Sequence, residues 1–238
     1  MFCKSISESK AKILAVVSIV LFMITAVCYF IPGVEIPHKI SFPLAVLSVF
    51  SLWLIPVPMS LAMFFSAFGD YFGSCNNFMA QMESFAVAHL FIILYFVQRL
   101  FRIARSSDKT FSALMTGSRT AYVIFITLCV LFVAAMAVVK IVPQAPEGVV
   151  RAGVTFYIFI ISIMLYTALL QRSVLYALGA VSFVFSDFVL AWNKFVEPLQ
   201  YEDILIMVPY YLAQLLFFFR SIKCRSLQSI RTDCRKMR

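Results

Sequence analysis

Three of the eleven acidic residues, Asp70, Glu83 and Asp187, fall inside long apolar stretches. A carboxyl in hydrocarbon is costly, normally faces a helix interface or a wet cavity, and marks a functional site. Two carboxyls sharing a poorly solvated site cannot both ionise cheaply, so they divide the labour. One stays protonated and serves as an acid; the other stays ionised and orients or deprotonates a water. Asp70 and Asp187 are each preceded by a small residue, Gly69 and Ser186. The plainer role for such aspartates is to cap or hydrogen-bond a neighbouring helix. His89 is a candidate partner or proton relay for them. Gln214, Asn193, Tyr210 and Tyr211 are further polar groups that could hold a headgroup or a water, although tyrosine at a membrane interface is ordinary aromatic-belt material. Glu83 belongs with them only if its helix has already entered the membrane at that point.

Other chemistries leave no trace. The chain has no GxSxG elbow, HExxH pair, P-loop or Rossmann fingerprint, which argues against a serine lipase, a zinc protease and a nucleotide-driven pump. Cys3, Cys28, Cys75, Cys129, Cys224 and Cys234 are scattered, without a CxxC pair or a Cys/His cluster. Neither a metal nor an organic cofactor is expected.

The elements that must position these residues are membrane spans. Apolar residues make up 63% of the chain and charged ones 13%, against roughly 45–50% and 25% in soluble domains. The excess lies in stretches long enough to cross a hydrocarbon core about 30 Å thick. They predict an all-α polytopic membrane protein, a bundle of about eight transmembrane helices near 12–32, 40–57, 58–75, 79–98, 120–141, 150–170, 173–193 and 203–220. Residues 1–238 read as one integral membrane domain, ending in a basic tail over 221–238. Pro56 and Pro58 interrupt an apolar run too long for one crossing, so a tight reversal is expected there. The first stretch, Leu14 to Ile31, is long for a signal sequence and is expected to be a retained helix.

Charge sets the orientation. Of the 20 Lys and Arg, three lie in the N-terminal segment, five lie between Arg99 and Arg119, Arg172 follows the sixth span, and seven run from Arg220 onward. Only Lys39, Lys140, Arg151 and Lys194 fall on the other side. This bias predicts both termini in the cytoplasm, in a multi-pass protein of a bacterial inner membrane. The net charge of +9 is then explained by orientation and anionic headgroups, and nucleic acid is not an expected partner.

An offset of 117 residues superimposes Asp70 on Asp187, Phe68 on Phe185, Asn76 on Asn193 and Phe78 on Phe195. His89 and Gln214 then take equivalent places, and the pattern predicts a parallel four-plus-four repeat. Coincidence among phenylalanine-rich helices is the alternative.

The segment Ala177-Leu-Gly179-Ala-Val-Ser-Phe183-Val-Phe185-Ser186-Asp187-Phe-Val-Leu190-Ala191-Trp-Asn193-Lys-Phe195 resembles the signature of YhhN-type membrane proteins, the lysoplasmalogenase family. So do Pro209-Tyr210-Tyr211-Leu-Ala213-Gln214-Leu215, Ser66-Ala-Phe-Gly69-Asp70 and Phe85-Ala-Val-Ala-His89. The chain departs from that family at the aromatic and small run Tyr71-Phe72-Gly73-Ser74-Cys75 and at Pro209. The resemblance implies a lysophospholipid substrate in the bilayer, a lysoplasmalogen, whose vinyl ether is hydrolysed to a fatty aldehyde and a glycerophospho-headgroup. It also implies Asp70 and Asp187 as the catalytic pair. Within that pair Asp187 is expected to be the acid and Asp70 to orient water; the opposite assignment stays open. A second reading uses the same aspartates in a non-enzymatic or proton-coupled transporter.

Overall fold

A computed structural model describes residues 8–33, 36–106 and 117–236, with side chains for 9–33, 36–103 and 120–222. Lys4, Arg105, Lys109, Arg119 and the basic side chains from Lys223 onward, which enter the charge pattern, lie outside the described side chains. The order is α1 (Glu8–Phe30), α2 (Phe42–Leu54), α3 (Val57–Ser74), α4 (Phe78–Ser106), α5 (Gly117–Lys140), α6 (Val149–Leu169), α7 (Val174–Phe195) and α8 (Glu202–Lys236). Short 3-10 turns precede α2 and α6. The described residues contain no strand, and the protein is an all-helical polytopic membrane protein. Among the described residues, six helices (α1, α4, α5, α6, α7 and α8) contain stretches long and apolar enough to cross a bilayer.

The α2–α3 region departs most from simple spans. Its 13 residues make α2 about 20 Å long, shorter than the hydrocarbon core. The stop is local: Ile55 precedes a proline and is held extended at φ −126° and ψ 167°. Pro56 follows with ψ 142°, and Pro58 sits in the first turn of α3, where its missing N–H is harmless. The Ser60 hydroxyl donates to Ser51 O at 3.0 Å, tying the two helices together. Buried Ser48, Ser51, Ser60 and Ser66 allow close helix approach and supply hydrogen bonds in a medium without water.

The chain resolves into two compact units, residues 1–91 with 215–238, and residues 92–214. The boundaries fall within α4 and α8. In the first unit, α3 ends at a left-handed Asn76 (φ 57°), with Asn77 N bonded to Phe72 O, a Schellman-type closure. Asn77 Oδ1 then accepts from Ala80 N and caps α4. In the second unit, Gly148 at φ 90° precedes α6. Arg151 closes the α5–α6 loop through Ala145 O, Pro143 O and Glu147.

Candidate active site

In the first unit, α3 and α4 pack antiparallel. A Cβ at Gly73 would meet Gln81, and one at Gly69 would meet the Phe85 ring at 2.9–3.0 Å; Phe65 stacks on Phe91 at 5.6 Å. Only glycine fits at 69 without moving that ring. This register sets His89 level with Ser66, one turn along α3 from Asp70. All three are buried, at 0%, 0% and 2% exposure. Asp70 lies one turn short of the end of α3. Glu83 is exposed on α4, six residues from His89 and so on a different face of the helix.

In the second unit, α7 buries Tyr176, Ala180, Phe183 and Ser186 along one stripe. The Ser186 hydroxyl donates to Ile206 O of α8 at 2.8 Å. Pro209 stands inside α8 and lacks the N–H that would close onto Leu205 O, beside that acceptor. Asp187, partly buried, accepts a hydrogen bond at Oδ2 from the Tyr157 hydroxyl of α6 at 2.6 Å. The Tyr210 ring packs edge-on against Phe183 at 5.3 Å, one turn before Asp187. Tyr210 and Tyr211 are buried at 3% and 5% exposure, so they belong to the protein interior and not to an interfacial belt. Gln214, also buried, lies one turn further along α8.

Asn193 has a structural task. Its Oδ1 accepts from Leu199 N at 2.7 Å, and its Nδ2 donates to Glu202 in the first turn of α8. The side chain thus holds the α7–α8 loop. Asn193→Ala is expected to lower stability by about 1 kcal/mol, seen as a lower Tm with turnover per folded molecule unchanged.

Tyr157 is the residue that sequence reading missed. Its signal was a phenol eight positions into an apolar helix, about 12 Å from the start of α6, too deep for an interfacial anchor. Chemically, each unit presents one carboxyl in apolar surroundings: Asp70 at a glycine-narrowed helix contact, and Asp187 with a phenol donating to it. Among the described residues, no three His, Cys, Asp or Glu side chains gather to hold a metal.

The sequence profile of the YhhN family matches residues 42–221. Lysoplasmalogenase TMEM86B of Homo sapiens is 30% identical over 146 residues, covering 61% of this chain and 54% of that protein. Lysoplasmalogenase TMEM86B of Rattus norvegicus is 40% identical over 77 residues, covering 32% of each. The chain therefore spans about half the length of the human relative and a third of the rat one. No solved structure matches.

Proposed function

Because the chain belongs to the YhhN family, we propose that it is a membrane-embedded hydrolase cleaving the vinyl ether of lysoplasmalogens to a fatty aldehyde and a glycerophospho-headgroup. The similarity to proteins named lysoplasmalogenase supports the substrate class. The observation that carries the chemistry is the hydrogen bond from Tyr157 to Asp187. An ionised carboxylate only accepts hydrogen bonds, so a phenol donor suits Asp187 as the carboxylate of the pair. Asp70, buried beside Gly69, is then the acid. This reverses the assignment expected from sequence.

The reaction runs through carbon protonation. Asp70 delivers a proton to the β-carbon of the vinyl ether, and the double-bond electrons form that C–H bond. The α-carbon becomes an oxocarbenium ion. Water adds there as Asp187 takes its proton. The resulting hemiacetal collapses to aldehyde and free glycerol hydroxyl as Asp187 passes that proton to the leaving glycerol oxygen and Asp70 takes the hemiacetal O–H proton, which restores both carboxyls. Paired carboxyls divide acid and base work similarly at glycosidic bonds. The charge pattern supports both termini in the cytoplasm.

The test is aldehyde release by the purified protein in detergent, comparing a lysoplasmenyl lipid with its saturated ether analogue. Aldehyde is expected from the vinyl ether alone, since protonation at carbon needs the double bond. No aldehyde from the vinyl ether, with Asp70→Asn and Asp187→Asn indistinguishable from the parent, would overturn the proposal.

A further inference from the structure

A second polar cluster lies in residues 92–214, at the end of that unit where α6 passes into α7. Arg99 of α4 is half-buried. Its guanidinium lies over the ring of Tyr176 at 5.5 Å, and Nη1 donates to Gln171 Oε1 at 2.7 Å. Tyr176 is fully buried, and the Gln171 amide is itself fixed by Phe96 O and Thr167 O. The arginine fork is therefore held in place by an already ordered wall.

Arg172 is the next residue after Gln171. It stands at φ 50°, a left-handed position that suits glycine or asparagine, and its guanidinium lies over Tyr122 at 5.6 Å. Arg102, one turn along α4 from Arg99, is exposed and donates to Gln98 O, within its own helix. Among the described residues, none of these three arginines is paired with a carboxylate. Arg99 and Arg172 thus flank one turn, each stacked on a tyrosine, and Arg102 stands one helical turn beyond Arg99 on α4.

We infer that Arg99, Arg172 and Arg102 form a binding site for an anionic phosphate group, supplied by a phospholipid headgroup at the membrane surface. Arginine's planar fork matches phosphate oxygens two at a time, and basic pockets between membrane helices take anionic headgroups. The site is distinct from the proposed hydrolytic one. Tyr176 and Asp187 are eleven residues apart on α7, about 16 Å. The glycerol unit separating ether from phosphate in one lysophospholipid cannot bridge that length. The ligand here is a separate molecule, and its binding does not require turnover.

The experiment measures lipid binding to the purified full chain in neutral detergent, by native mass spectrometry and by Tm. The probes are phosphatidylglycerol, phosphatidylcholine and inorganic phosphate. The parent should retain phosphatidylglycerol in preference to phosphatidylcholine. Arg99→Gln should weaken that binding about tenfold or more, and Arg99→Lys, which keeps the charge but not the fork, should fall between. Arg172→Asn removes a charge while suiting the left-handed backbone, so it decides the matter should Arg99→Gln fail to fold; a similar loss is expected. Inorganic phosphate raising the Tm of the parent but not of the variants would keep the site and assign its ligand to a soluble phosphate. Parent-like phosphatidylglycerol binding by both Arg99→Gln and Arg172→Asn, or equal retention of the two lipids by the parent, would overturn the inference.

Discussion

Asp187→Asn is expected to lower kcat for aldehyde release by roughly 10²–10⁴-fold, the range contributed by one positioned acid or base, with KM little changed. Asparagine keeps the shape and can still accept from Tyr157, so the helix contact survives while the proton acceptor is lost. Tyr157→Phe tests the phenol separately. Losing a hydrogen bond to a charged group costs about 1.5–3 kcal/mol, so turnover should fall by roughly ten- to a hundredfold. Because Tyr157 acts through Asp187, the double variant should be no slower than Asp187→Asn alone. Kinetics of the three variants check this, and an additive double variant would separate the tyrosine from the aspartate. Full activity in Asp187→Asn would remove Asp187 from the chemistry.

Gly69→Ala is the second large effect. The added methyl would meet the Phe85 ring at 2.9–3.0 Å, closer than real Cβ contacts allow, and the ring is buried at 6% exposure. Overpacking of this kind costs about 1–3 kcal/mol. The forced shift also falls on the residue beside Asp70, and a displacement near 1 Å can slow a reaction by about 10²-fold. Gly69→Ala should therefore lose both Tm and turnover. Phe85→Leu in the same chain should restore part of each, because it vacates the space the methyl needs. Turnover and melting of the single and double variants decide between steric crowding and a separate role for the glycine.

Much of the fold was legible because a bilayer leaves few choices. Apolar runs of sufficient length had to become helices, and Ile55-Pro56 had to break the long run between 40 and 73. What local pattern could not supply was the register between helices. Tyr157 and Asp187 are thirty residues apart, and nothing in either helix states that one faces the other. The same gap explains Tyr210 and Tyr211, which look like interfacial tyrosines in sequence and are interior in the structure. Asn193 looks like a headgroup ligand until the loop it staples is seen. The offset of 117 also meets a limit: Asn76 closes α3 in a left-handed turn, whereas Asn193 remains inside α7. The two asparagines do different local work.

The short helix α2 has a consequence for how the protein is made. At 13 residues it is too brief to partition into a bilayer as an independent segment, and α3 carries an aspartate near its far end. Neither helix has the hydrophobic length or purity of a free-standing stop-transfer sequence. Joined by Ile55-Pro56 and fastened by the Ser60–Ser51 bond, they shelter each other's polar groups only after folding back together. The natural unit of insertion at the translocon is therefore the α2–α3 hairpin, and biogenesis of this region waits on the chain emerging through Ser74 before either helix leaves the channel for lipid.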